Sequence, residues 1–229
     1  MILYLLFAAP AFFLGLWAQW RVKRNFNKYS QVRTASNLTG AEVARRMLDS
    51  EGLYHVKVEE SHGWLSDHYD PRDKTLRLSP DVYRIPSVAA AGIAAHEMGH
   101  ALQDEVGYRP LRMRSVLVPA AQFGSNLGVW MMFGGMILQS FLQFGIWIAI
   151  IGLLAYGMTA VFSLVTLPVE FDASNRAKKL LVSHGILGSN EMEGVNRVLN
   201  AAALTYVAAA VQAVMSALYW AFIIFGGRD

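Results

Sequence analysis

The chain alternates between long charge-free runs and segments dense in charge. Ile2 to Trp20 carries no Asp, Glu, Lys or Arg, and neither do Val116 to Val169 or Asn200 to Gly227. The middle run can hold two crossings of about 20 residues each. Four membrane helices are therefore predicted, near residues 2–20, 116–138, 144–166 and 202–225. Between them other periods emerge. Thr39-Gly40-Ala41-Glu42 has the form of a capping box, which predicts a helix to Ser50 with Val43, Met47 and Leu48 apolar and Gly52 as its stop. Tyr54-His55-Val56-Lys57-Val58 alternates as a strand does. Leu65 to Tyr69 and Thr75 to Leu78 flank the turn-type sequence Asp70-Pro71-Arg72-Asp73-Lys74, predicting a β-hairpin. Pro86 and Ser87 open a further helix, running through Val88–Ala95 into His96-Glu97-Met98-Gly99-His100 and ending before Gly107. It is small and apolar on nearly every side, so it should be buried.

Composition agrees with a lipid-embedded chain, at 54% hydrophobic and 16% charged residues. The first span reads as a retained anchor and not a cleaved signal. Its charges, Arg21-Val22-Lys23-Arg24, follow the apolar stretch, and no Ala-x-Ala site stands at the end of that stretch before them. Of the 20 Lys and Arg, 15 lie between the first and second spans, 4 between the third and fourth, and only Arg228 elsewhere. Basic residues near membrane ends stay on the cytoplasmic side. The expected topology puts both termini outside and residues 21–115 and 167–200 inside, with an outer turn near Gln139–Gly145. The basic residues thus serve topology, and nothing supports nucleic-acid binding. There is no cysteine, so disulfides and thiolate ligands are excluded.

Two histidines four apart on a helix share a face and can grip one ion. His96 and His100 have that spacing, and Glu97 stands beside the position of an attacking water, where it can accept a proton. The bland alternative is two hydrogen-bonded helix histidines and a Glu97 paired with an Arg. A third ligand must come from elsewhere. The longer metzincin pattern would need Gly at position 103 and His at position 106, but Gln103 and Val106 stand there. Glu170, directly after the third span, is the leading candidate, on the same expected membrane face as the histidines. Its rival role is a first-turn carboxylate at a helix N-terminus. Asp172, Asp104 and His184 are weaker candidates for the ligand.

The sequence resembles the bacterial membrane zinc peptidases of the YugP type, distant relatives of the HtpX and CAAX prenyl protease families. The resemblance covers nearly the whole chain. It is carried by the anchor, Leu65-Ser66-Asp67-His68-Tyr69-Asp70-Pro71, Ala94 to Ala101, Pro168 to Ser174 and Leu199 to Ala208. It implies one Zn2+ per chain held by His96, His100 and Glu170, with Glu97 as catalytic base, in a bacterial plasma membrane. The prenyl proteases carry Asp four residues after the ligand Glu, whereas Ser174 stands here, able to hydrogen-bond but without charge. The expected fold class is mainly α: a four-span helical membrane protein with a cytoplasmic zincin-like α+β portion carrying a small β-hairpin or sheet. Its expected divisions are the anchor (1–20), the metal-helix region (21–115), a two-helix membrane hairpin (116–166), the third-ligand segment (167–200) and a last membrane helix (201–229).

His68 and Tyr69, in the hairpin, are candidate substrate or oxyanion contacts, or simply exposed side chains. Arg176 is a candidate oxyanion contact or an ordinary cytoplasmic-face charge. Trp17, Trp20, Tyr219 and Trp220 read as interface anchors or lipid-facing packing. Gly124, Gly128, Gly134 and Gly135 would let membrane helices approach closely. The expected reaction is peptide-bond hydrolysis by zinc-activated water, on membrane proteins or chains presented beside the bilayer. A site-2-type intramembrane protease and a non-catalytic zinc scaffold are the alternatives. The first fits poorly because Val88–Ala95 covers only about 12 Å of a core of about 30 Å. Structural zinc sites usually close all four positions, often with Cys, which weakens the second.

Overall fold

The computed structural model describes residues 2–226, so Arg228 lies outside the described residues. Four helical stretches are long and apolar enough to cross a membrane: Ile2–Tyr29, Arg109–Gln139, Gly145–Ser183 and Ser189–Phe225. The first is α1. The second is α5 (Arg109–Phe123) and α6 (Val129–Gln139), joined by one π-helical stretch at Gly124–Gly128. The third and fourth are α7 (Gly145–Ser183) and α8 (Ser189–Phe225). At 1.5 Å per residue the 39 residues of α7 run about 58 Å, nearly twice a hydrocarbon core of about 30 Å. Its polar C-terminal part must therefore extend beyond the apolar run. Glu170 consequently sits inside a continuous helix, not at a helix start, which removes the N-terminal-carboxylate alternative.

The chain divides into two compact units. One comprises Ala18–Tyr108 and Val169–Leu204, and the other takes the chain up to Trp17, Arg109–Pro168 and the part from Thr205 onward. The first is an α+β unit. Its helix α2 (Gly40–Ser50) opens on the predicted capping box: Thr39 Oγ1 accepts from the Glu42 amide at 3.2 Å, and Glu42 accepts from the Thr39 amide at 2.8 Å. Val43, Met47 and Leu48 are buried, and Gly52 follows with φ +75°, a conformation that costs glycine nothing. Helix α3 (Pro80–Arg84) was not anticipated, although Ser79-Pro80 is the cap-then-proline signature of a helix start.

The three-stranded sheet has the order β1-β3-β2, with β1 at Lys57–Glu60, β2 at His68–Asp70 and β3 at Thr75–Leu78. β2 and β3 form the expected antiparallel hairpin, while β1 runs parallel to β3. β1 starts later than its alternation suggests. Leu53 and Val56 are drawn into the core, and Arg45 donates to both of their carbonyls, so that stretch is held as a turn. Helix α4 (Val88–Glu105) is capped by Ser87, whose hydroxyl accepts from the Ala90 amide at 3.1 Å. It is buried along nearly its whole length, as its composition predicts.

In the helical unit, a Cβ on Gly124 would meet the Ala155 carbonyl oxygen at 1.9 Å. On Gly128 it would meet the Gly152 oxygen at 2.8 Å, and on Gly135 the Ala149 amide nitrogen at 2.4 Å. These three positions let α6 and the preceding turn touch the α7 backbone, whereas Gly134 faces open space. Tyr219 packs edge-on against Tyr4, and Trp220 against Phe133.

Candidate metal centre

All of the centre lies within the α+β unit, on α4 and the Val169–Ser183 part of α7. The two helices touch at Gly99, where a Cβ would stand 2.6 Å from the Ala173 carbonyl oxygen. Any larger residue would push α7 away from the histidines that flank Gly99. The contact brings together His96, His100 and Glu170, each offering one ligand atom, with all three atoms within 4.8 Å of one another. His96 Nε2 is 3.2 Å and His100 Nε2 3.5 Å from Glu170 Oε2. The imidazole rings meet edge-on at 4.8 Å.

These separations fit a metal. Ligands bonded to zinc at 2.0–2.1 Å and a tetrahedral angle lie about 3.3 Å apart. Two imidazoles and one carboxylate form a catalytic-type donor set that leaves a fourth position open. Glu170 is almost fully buried, and His100 and Glu97 nearly so. Burial alone would push the His100 proton affinity down. The hydrogen bond with Glu170 and the charges of Glu97 and Glu170 outweigh it and hold the pKa above the ordinary histidine range. Positive charge is thus favoured where the three ligand atoms converge. Glu97 follows His96 on α4, and its charge is also felt at Asp67. There, burial dominates and raises the carboxyl pKa, although Asp67 accepts from the amide and hydroxyl of Ser79.

The rival ligands stand outside this group. Asp104 accepts from the Tyr69 hydroxyl at 2.8 Å and pairs with Lys74. His184 contacts Ser50 and Glu51. Asp172 accepts from Gln103 Nε2 at 2.9 Å and from Arg176. The Arg176 guanidinium also lies over the Tyr108 ring, 5.7 Å from its centroid. His68 is exposed on β2, with Nδ1 2.8 Å from the Ser66 carbonyl oxygen.

Beside Ser174, which the resemblance singled out, the site holds two residues that carried little or no signal in the sequence, Gln103 and Gly99. Ser174 Oγ lies 3.1 Å from His96 Nδ1, so a hydroxyl holds the place where the prenyl-protease pattern has a carboxylate. Gln103, fully buried, bonds His100, Val169 and Asp172. The need for Gly99 shows only once α4 and α7 are seen in contact. A signal that could have found Gln103 is its place three residues after His100 on a helix expected to be buried, since a buried amide must find partners.

A helical membrane chain whose buried imidazoles and carboxylate can bind a metal belongs to the class of membrane metalloproteins. The chain belongs, more narrowly, to the family described as "Putative neutral zinc metallopeptidase", which it matches over residues 4–225. It is also 45% identical over 227 residues to the "Putative membrane protease YugP" of Bacillus subtilis (strain 168), covering 99% of each chain. No solved structure matches it. Zinc is the metal of this family, and His96, His100 and Glu170 can form its site.

Proposed function

We propose that the chain is a zinc-dependent membrane peptidase that hydrolyses peptide bonds at the membrane–cytoplasm boundary. The observation that carries this reading is the convergence of His96, His100 and Glu170 on one point, with Glu97 adjacent on the same buried helix. His96, His100 and Glu170 are the metal ligands. Zinc, when bound, polarises water and the scissile carbonyl. Glu97 accepts the proton of the attacking water and delivers it to the leaving amine. The 45% identical relative bears the name of a membrane protease, which supports peptide bonds as the target.

The boundary location rests on sequence distribution: Glu170 immediately follows a charge-free run, and the segments holding the site carry nearly all the Lys and Arg. Both termini then lie outside, and the substrates are membrane proteins or chains presented beside the bilayer. The outer edge of β2, which carries His68, has no strand partner among the described residues and offers backbone groups to an extended peptide. Tyr69 holds this edge to α4 through Asp104.

The test is zinc content and peptide hydrolysis of the detergent-purified full chain. Wild type should hold one zinc, and His96→Ala and Glu170→Ala should lose it. Glu97→Gln should keep zinc while hydrolysis falls by roughly 10²–10⁴-fold. A wild type that cannot be loaded with zinc, or a fully active Glu97→Gln, would sink the proposal.

A further inference from the structure

The Gln103 side chain has a forced orientation. Its Nε2 is 2.8 Å from the Val169 carbonyl oxygen and 2.9 Å from Asp172 Oδ2, both of which only accept. Reversing the amide would set an oxygen against two oxygens, so Oε1 must be the atom that faces His100 Nδ1 at 3.0 Å. An amide oxygen cannot donate. Nδ1 of His100 therefore carries the hydrogen, and in the neutral ring the lone pair is at Nε2, the nitrogen 3.5 Å from Glu170. Asp172 is itself held by Arg176, whose guanidinium rests over Tyr108.

From this we infer that Gln103 is a positioning residue for His100: clamped by the Val169 carbonyl and by Asp172, it fixes the ring and tautomer that aim Nε2 at the metal. The inference rests on His100 being a ligand, as proposed above. The chain Tyr108–Arg176–Asp172–Gln103–His100 links three parts of the unit: the C-terminal half of α4, Tyr108 three residues beyond its end, and the first turns of α7 beyond Val169. His96 has a different support, the Ser174 hydroxyl, which brings no charge. The two imidazoles are thus held by unequal means, and only His100 is backed by a carboxylate, at one remove. Partners of this kind on a ligating histidine typically account for 10–100-fold in metal affinity.

The experiment measures zinc affinity by competition with a chelator, and the visible spectrum of the cobalt-loaded protein, on the full chain in detergent. Gln103→Met keeps the volume and removes every hydrogen bond. It should weaken zinc binding about 10–100-fold and change the cobalt spectrum. The melting temperature of the zinc-free protein should change little by comparison. A merely structural role would do the reverse, lowering that temperature and leaving the spectrum of the folded protein as in wild type. Asp172 is partly exposed, so Asp172→Ala should fold even where Gln103→Met does not. It removes one of the two groups that orient the amide and should weaken zinc by at least about threefold, a smaller loss than that of Gln103 itself.

Affinity within twofold of wild type in Asp172→Ala, or in a folded Gln103→Met, overturns the inference. His100→Ala separates this from failure of the underlying reading. If that variant keeps wild-type zinc affinity, His100 is not a ligand and the metal-site proposal itself falls. If it loses zinc while both other variants keep it, only the positioning role is lost.

Discussion

The two units of this chain are packed by opposite rules. In the α+β unit the large apolar side chains point inward: Met47, Leu48, Leu76, Leu78, Met98, Leu181 and Ile186 are all fully buried. In the helical unit, outside a small buried cluster of Met132, Ile146 and Ile224, they point outward. Trp130 is 74% exposed, Phe141 79%, Ile137 66% and Leu154 68%, while the contact between helices is made by glycine backbones. Water rewards burial of a Leu or Val side chain by about 1.5–3 kcal/mol. Lipid offers no such drive, and helices there associate through close van der Waals packing, which small residues permit. The α+β unit uses the same glycine contact, at Gly40 against Val82 and at Gly99 against Ala173, and the second of these brings the candidate metal ligands together. The same device holds membrane helices together in one unit and sets the Glu170 carboxylate beside two histidines in the other.

The strongest way to break this comparison is to truncate an apolar side chain in each unit. Leu76→Ala should cost about 2–5 kcal/mol, because Leu76 is fully buried in the central strand and leaves a cavity. Ile137→Ala, on an exposed face, should change stability by less than about 0.5 kcal/mol. Equal losses by denaturant titration in detergent would show that the exposed face has a protein partner and not lipid.

Substituting the contact glycines sharpens the comparison. Gly99→Ala gains about 1 kcal/mol of helix propensity. The new methyl group, however, meets a backbone oxygen that cannot swing aside, at a cost of about 1–3 kcal/mol. The net effect is destabilising, and zinc affinity should fall with it as α7 is pushed off α4. Gly124→Ala carries a clash of the same kind against Ala155. It should lower thermal stability while zinc affinity stays within about twofold, since overpacking strain is paid locally in its own unit. Equal weakening of zinc by both variants, read by chelator competition, would mean that the units do not act independently.

The smallest effect is expected at the cap of α2. Thr39→Ala removes the hydroxyl that accepts from the Glu42 amide and should cost about 1 kcal/mol. This device belongs to water, where an unpaired helix end is otherwise solvated. No loss of stability in Thr39→Ala would show that α2 is held by burial of Val43, Met47 and Leu48 alone.

Much of the molecule was legible in the chain because the signals are local. Charge-free runs marked all four long apolar helices, and the capping box, Gly52, the Asp70–Lys74 turn and Ser87 each act within a few residues. His96 and His100 share a face simply because they lie four apart on a helix. Contacts between distant segments were beyond such signals. Alternation could suggest a strand near Val58 but not that β1 would run parallel to β3. Nor could it show that the buried core would take Val56 and delay the strand. Sequence placed Glu170 after an apolar run. That it lies inside a continuous α7, with its oxygen 3.2 Å from an imidazole 74 residues earlier, depended on two helix backbones meeting at Gly99. Gln103 makes the point most plainly. In the sequence it marked only the failure of a longer motif, and its partners at Val169 and Asp172 are 66 and 69 residues away. Period and capping are set by torsions and hydrogen bonds along a few turns of chain. The orientation of a buried amide is set by which acceptors the folded neighbours bring to it.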